Sequence, residues 1–409
     1  MQLRPNQIRA CNAMLAYGKG QLIVPTGGGK TLTMIYDLIE NCKYIDNGMT
    51  TVVVAPRILL AEQLSAEFLE FVDTKYTHVM HVHSGETHHF STTNPEKIAL
   101  FANTARTAGE NVLIFTTYNS LDRIRQADIE VNNIYFDEAH NSVKRNFFGP
   151  TEYFSHESDR CFFFTATPKH SLTINKPGMN MPEVYGNVIC NIPAPELVEQ
   201  GYILPPKVVV KQLGMVQDKF KIWSRDSDFL METIDNPKSV TVTEGFIDGT
   251  QSVNKVLVCA RSTKQIMGLL SDSDFCKDVA SRGYSWMTIT SKTGAIIDGQ
   301  KVNREVFFDT LNAWGKDPNK KFVVLHHSIL SEGINVNGLE SVIFLRNMDY
   351  IGISQSIGRV IRLGDKSKTF GLVCIPVYDS VGISTSRKVQ AVVDTVFNQG
   401  QPAISEIRK

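Results

Sequence analysis

Between a short apolar run and a helical pattern sit three consecutive glycines and a lysine: Val24-Pro25-Thr26-Gly27-Gly28-Gly29-Lys30-Thr31. Glycines in such a turn let backbone N–H groups fold around phosphate oxygens. A helix beginning directly afterwards, expected over 32–40, points the positive end of its dipole at the same anion. In that setting Pro25, Thr26, Gly27, Gly28 and Gly29 form the cradle, Lys30 reaches the β- and γ-phosphates of a nucleotide, and Thr31 offers its hydroxyl to Mg2+. The usual GxxxxGK[ST] pattern opens on glycine, where this chain has Val24. A chance glycine turn ahead of Lys-Thr is the rival reading, and the agreement of strand, loop and helix weighs against it.

A strand–loop–helix unit of this kind needs a parallel sheet around it. Continuous apolar runs over 22–24, 51–55, 112–116, 134–137 and 161–165 have the character of strands buried on both faces. Between them fall helical patterns such as 58–72, where Leu60, Leu64, Phe68 and Phe71 recur at helical spacing. The second half repeats the scheme, with strands expected over 207–211, 255–260, 285–290, 321–326, 341–345 and 369–375. The alternation predicts an α/β fold with right-handed crossovers. A proline-rich stretch with Pro193, Pro195, Pro205 and Pro206 interrupts it, so the expected domains are 1–195 and 207–409, joined by a linker over 196–206.

Charge limits the partners. Forty-two basic residues balance forty-two acidic ones, so no global field gathers polyanions, and any nucleic acid must be held by local grooves and backbone amides. Seven dispersed cysteines without a CxxC pair suit buried thiols in a reducing cytoplasm rather than a disulfide framework or a zinc site. Neither a signal core over 1–20 nor an apolar run of about 18 residues is present, so a cytoplasmic, non-membrane protein is expected.

The partner of a phosphate loop is an acid at a nearby strand end. Asp137 and Glu138, in Ile134-Tyr135-Phe136-Asp137-Glu138-Ala139-His140, supply it: Asp137 to hold Mg2+ through water, Glu138 to orient and deprotonate the attacking water. With Thr165-Ala166-Thr167-Pro168 following, the chain resembles the DEAH-box-type helicases and translocases of superfamily 2. The resemblance runs on in order. Ser331-Glu332-Gly333-Ile334-Asn335-Val336 is similar to motif V, and Gln355-Ser356-Ile357-Gly358-Arg359-Val360-Ile361-Arg362 to motif VI. Leu3-Arg4-Pro5-Asn6-Gln7 is similar to the adenine-reading Q-motif.

That likeness implies two tandem RecA-like P-loop domains, each a mostly parallel sheet flanked by helices, with a cleft between them. It also implies roles. Gln7 with Arg4 reads adenine, Gly333 lies near the γ-phosphate, and Asn335 stands where many relatives have aspartate. Thr165 and Thr167 link the nucleotide to strand movement, and His140 and Gln355 bridge the domains. Arg359 and Arg362, three apart, fall on one helix face and act as arginine fingers on the leaving phosphate.

For the nucleic-acid track, Ala55-Pro56-Arg57 resembles motif Ia and Thr116-Thr117-Tyr118-Asn119-Ser120 motif Ib; Arg261 and Ser262 follow the motif IV strand, and Ser331 opens motif V. Hydroxyls and amides at helix starts bind phosphate without much net charge, although helix capping is the competing role. Five of the ten histidines (His78, His81, His83, His88 and His89) lie within twelve positions; His81 and His83 fall on an expected strand, and a polar loop after a strand is favoured over a metal site. Packing is favoured over base stacking for Tyr118, Trp223, Trp286 and Trp314.

The Thr-Ala-Thr form of motif III looks more like the DNA-acting branch (UvsW, RecG, XPB and the restriction-enzyme motors) than the DEAD-box RNA helicases. The expected function is therefore an ATP- and Mg2+-dependent helicase or translocase on nucleic acid, DNA favoured over RNA. Two alternatives stand: a motor subunit that depends on a nuclease or specificity partner, and an ATP-driven protein-assembly switch indifferent to nucleic acid. Only 214–254 and 386–409 are spare, which leaves no evident room for a wedge or nuclease domain.

Overall fold

The computed structural model describes residues 2–42, 48–85, 87–173, 176–213, 222–235, 254–290, 292–327, 338–345, 350–363, 368, 370–378, 381–393, 397 and 405–408. The chain divides into two compact units, Met1–Ile192 and Pro193–Lys409.

Eight strands build the first unit: β1 (Lys19–Ile23), β2 (Thr50–Ala55), β3 (Thr77–Val82), β4 (Phe90–Ser91), β5 (Asn111–Thr117), β6 (Asn133–Phe136), β7 (Arg160–Thr165) and β8 (Val188–Asn191). They lie in the order β4-β3-β5-β2-β6-β7-β1-β8, and every neighbouring pair is parallel. All strands therefore deliver their C-terminal ends to one edge of the sheet, where open α/β sheets place their ligands. The apolar runs are strands because both faces are covered: β2 and β6 are buried at every position. Val52, Val54, Ile114, Phe136 and Phe163 share one core with Ile98, Leu121 and Phe154 of the helices.

The helices of six residues or more among the described residues of this unit are α1 (Pro5–Tyr17), α2 (Lys30–Cys42), α3 (Ile58–Leu69), α4 (Pro95–Thr107), α5 (Leu121–Gln126) and α6 (Arg145–Glu157). Pro5 opens α1, the Arg4 N–H donates to Gln7 Oε1 at 2.8 Å, and Gly18 ends the helix at φ +61. Asn94 caps α4 by accepting from the N–H groups of Glu96 and Lys97. Helix α2 begins two residues before the expected position, so Lys30 and Thr31 sit in its first turn. Strand β1 ends at Ile23 and begins at Lys19, three residues ahead of the expected run. Polar Gln21 hides that start in the sequence, yet it is buried with its amide donating to the carbonyls of Met179 and Gly186. Beneath the sheet, Arg160 holds Asp37 of α2 through both guanidinium nitrogens at 2.8 Å, and Tyr135 Oη donates to the same carboxylate at 2.6 Å.

The second unit has nine strands: β9 (Pro206–Leu213), β10 (Lys255–Cys259), β11 (Ser285–Thr290), β12 (Gly294–Ile297), β13 (Gln300–Val302), β14 (Phe322–His326), β15 (Ser341–Phe344), β16 (Gly371–Tyr378) and β17 (Ser405–Arg408). Their order is β13-β12-β11-β14-β10-β15-β16-β9-β17. The sheet is parallel except where β12 pairs antiparallel with both β11 and β13. The tail is not spare: β17 pairs with β9. Nor is 196–206 a bare connection, since it holds most of the helix Ala194–Glu199 and the first residue of β9.

Candidate nucleotide site and strand-end surface

The turn 24–29 leaves β1 at the strand-end edge. Gly27 and Gly29 both adopt φ +84, a region that an L side chain enters only under strain. Three residues at the start of α1 hold the turn from behind. Arg4 Nη1, Asn6 Nδ2 and Gln7 Nε2 donate to the carbonyls of Gly27 (3.4 Å), Gly28 (2.9 Å) and Gly29 (3.1 Å). A Cβ on Gly29 would stand 2.2 Å from Gln7 Nε2. Gln7 is buried, with its oxygen on Arg4 N and its nitrogen on Gly29 O. The structure thus sets Arg4 and Gln7 against the loop backbone. Asn6, which was not singled out from the sequence, is the third clamp.

Asp137 and Glu138 leave the end of β6, two strands from β1. Lys30 Nζ lies 3.8 Å from Glu138 Oε1 and 3.5 Å from Val24 O. Burial, then the neighbouring Glu138 charge, pushes the Asp137 carboxyl up, against the pull of Lys30. From Glu138 a chain of contacts crosses the site: Oε2 to His140 Nδ1 at 3.5 Å, His140 Nδ1 to Thr165 Oγ1 at 3.0 Å, and Thr167 N–H donating to Thr165 Oγ1 at 3.1 Å. The four are buried. Phosphate loop, acid pair and the two threonines are therefore one contiguous polar cluster. Thr167 Oγ1 is buried with no hydrogen-bond partner among the described residues.

The residues present suit Mg-ATP. The loop has the positive-φ glycines and clamped carbonyls of an anion cradle. Thr31 and Asp137 are oxygen donors of the kind a hard divalent cation takes. Two adjacent buried carboxylates beside Lys30 complete an acidic pair of the kind that a divalent cation takes.

In the second unit, Gln355 and Arg359 lie on the helix Tyr350–Val360, both buried. Among the described residues, Gln355 Nε2 has no partner within hydrogen-bond distance. Arg362 follows the helix end, half-buried, and Lys368 Nζ anchors its carbonyl at 2.7 Å. Gly333, Asn335 and Ser331 lie outside the described residues.

On the strand-end edge, Pro56 and half-exposed Arg57 join β2 to the N-terminus of α3. Thr116 and Thr117 are buried; Thr116 Oγ1 donates to Val82 O at 2.8 Å and Thr117 Oγ1 to Ser120 Oγ at 3.4 Å, so both hydroxyls are engaged within the protein. Ser262 accepts from the Gln265 N–H as a helix cap, and Arg261 N–H donates to Gln265 Oε1.

The histidine segment is less solvated than expected. His81 lies in β3 and His83 just beyond it, both buried. The Gly85 N–H donates to His83 Nδ1, which makes His83 Nε2 the N–H that donates to His81 Nδ1 at 3.0 Å. His81 Nε2–H in turn donates to Ser65 Oγ at 3.0 Å. Burial, then His83 and His89, pushes His81 down to about 4. Among the described residues, no group of three or more His, Cys, Asp or Glu side chains could hold a metal ion. Tyr118 packs between Phe136 and Phe147, Trp314 against Phe322 and Trp223 against Gly268; Trp286 packs against the second unit's core.

Residues 1–170 match the family described as "Type III restriction enzyme, res subunit". No curated protein matches the chain. Among solved structures, the chain is similar over its whole length to the ATP-dependent Type ISP restriction-modification enzyme LlaBIII bound to DNA (TM-score 0.76, 19% identity) and covers 31% of that chain. Over 99% of its length it is similar to a nuclease-deletion mutant of the Type ISP enzyme LlaGI in complex with a DNA substrate mimic (TM-score 0.69, 19% identity, 30% of that chain). Over 98% it is similar to a fragment described as an HsdR subunit of a type I restriction enzyme from Vibrio vulnificus YJ016 (TM-score 0.61, 14% identity, 67% of that chain). The chain thus spans about a third of the two Type ISP enzymes. Residues 1–170 thus match that family's model, and the chain as a whole has the α/β fold of these three structures.

Proposed function

We propose that this chain is an ATP-dependent motor on DNA, a helicase or translocase that couples Mg-ATP hydrolysis to movement along DNA or its remodelling. One observation carries the reading: the contiguous path from Lys30 through Glu138, His140 and Thr165 to the Thr167 N–H. A regulatory nucleotide pocket needs the first two groups; a motor needs the rest, because the state of the phosphate must reach the ends of other strands.

In this mechanism the loop amides and Lys30 hold the β- and γ-phosphates, and Thr31 and Asp137 hold Mg2+, which when bound neutralises charge on the phosphate oxygens. Glu138 orients the attacking water and takes its proton. Arg359 and Arg362 stabilise the charge that develops on the transferring phosphoryl group. Arg57 and the amides at the start of α3 grip a DNA phosphate, and Arg261 and Ser262 serve the second unit in the same way.

A second reading follows from the lengths of the relatives. Two of the similar structures are enzymes more than three times the span matched here, so the motor works within a larger assembly that supplies nuclease or specificity functions. Steady-state ATPase of the purified chain with single-stranded, duplex and forked DNA and with RNA, each at two salt concentrations, tests both. Strong stimulation by one DNA form is expected. Hydrolysis indifferent to every nucleic acid would replace the motor by an assembly switch, whereas stimulation appearing only with an added partner would establish the second reading.

A further inference from the structure

Tyr118 follows the two threonines of the strand-end turn, and the function above does not use it. It is 1% exposed, and its hydroxyl is spent in a specific way: Oη donates to the backbone oxygen of Asp137 at 2.9 Å. Its own N–H donates to Ala55 O at 3.1 Å. One residue therefore ties together the ends of β5, β2 and β6, the strands that lead into the Thr116–Ser120 turn, Arg57 and the acid pair.

The bonded atom matters because of the residue that follows. Glu138 is one of three non-glycine residues with positive φ among those described, at φ 47 and ψ 52, a conformation that L-residues enter only under strain. The Asp137 carbonyl belongs to the peptide plane whose orientation, with φ of Glu138, sets that conformation. The Tyr118 hydroxyl holds the oxygen end of the plane. Rotation of the plane toward ordinary backbone geometry would move the Glu138 carboxylate away from Lys30 and His140.

We propose that Tyr118 is a positioning residue: its hydroxyl fixes the Asp137–Glu138 peptide in the strained geometry that aims both carboxylates, and passes the state of the Thr116–Ser120 turn to them. The proposal rests on the motor reading. It goes further in naming the atom pair through which DNA at the strand ends alters the attack on ATP.

The test is Tyr118→Phe in the full chain, which keeps the ring, its stacking on Phe136 and Phe147 and its volume, and removes only the hydroxyl. Thermal unfolding and equilibrium binding of ATP are measured beside steady-state ATPase with and without the most stimulating DNA. The expected result is ATP affinity and KM within about threefold of wild type, basal kcat lowered about tenfold, as for loss of one buried hydrogen bond, and the ratio of stimulated to basal rate falling toward one. A purely structural role would lower the melting temperature and shift KM and kcat together, or neither; either pattern overturns the proposal, as does a stimulation ratio equal to that of wild type. If wild type hydrolyses ATP but no nucleic acid stimulates it, the motor reading fails, and with it the coupling half. The basal kcat of Tyr118→Phe then decides the positioning half, unchanged kcat overturning it.

Discussion

Replacing Gly29 by alanine tests whether the clamped turn is the form that binds nucleotide. The backbone at Gly29 has φ +84, and holding an alanine near that region costs about 1–2 kcal/mol. The new Cβ would meet Gln7 Nε2 at 2.2 Å and Gln7 Cδ at 3.0 Å. Gln7 cannot yield freely, because it is 1% exposed and its oxygen is bound by Arg4 N at 2.8 Å. Forcing it aside breaks the bond to Gly29 O and strands a buried amide, about 2–3 kcal/mol more. The sum, about 3–5 kcal/mol, corresponds to a loss of roughly 10²–10³-fold or more in affinity if the turn must keep its shape to bind phosphate. Adding Gln7→Ala removes the clash and the stranded amide but not the backbone strain. The double variant should therefore bind ATP about 30- to 150-fold more tightly than Gly29→Ala alone, a non-additivity that only direct contact produces. Calorimetric titration with ATP on folded, full-length protein measures both numbers. Binding by Gly29→Ala within threefold of wild type, or no recovery in the double variant, would show that the turn held by α1 is not the nucleotide-binding form.

Arg362→Ala should leave ATP affinity near that of wild type while lowering kcat by about 10³-fold or more; parallel loss of binding and hydrolysis in calorimetry and turnover assays would remove Arg362 from that role. Arg160→Met takes the guanidinium from a carboxylate, Asp37, that is 4% exposed, and should destabilise the first unit by about 3 kcal/mol; a melting temperature unchanged within a degree would refute it. Acid should act through His81. Its folded form holds a proton only near about 4, while an unfolded histidine binds one near about 6.5. Stability from this group is therefore complete above about pH 6.5 and declines from there to about pH 4. His81→Gln should flatten that part of the melting temperature against pH curve, and equal slopes in both proteins would contradict the assignment.

What could be read in the sequence was what neighbouring residues encode. Strands β2, β5, β6 and β7 are apolar runs because burial on both faces demands it of each residue in turn, and the phosphate loop and acid pair are each contiguous. Strand β3 showed only as an expected strand around His81 and His83, because His78 and His81 break its apolar run; Ser65 and His83 engage both ring nitrogens of His81 there. Strands β12, β13 and β17 are four residues or fewer; the first two pair along the chain as hairpins on β11, too short to form a readable run, and β17 takes its pairing from distant β9. The same division runs through the site. Lys30 and Glu138 could be named, but not the atoms that aim them, because Gln7 to Gly29, Tyr118 to Asp137 and Asp37 to Arg160 are joined across 22, 19 and 123 positions. For Gln7 the resemblance pointed to adenine, whereas the structure shows both ends of its amide on the protein. An amide so engaged recognises loop geometry first. Any contact it makes with a base must use its remaining donor or lone pairs, so the loop and the base are read by one side chain whose position the glycines permit.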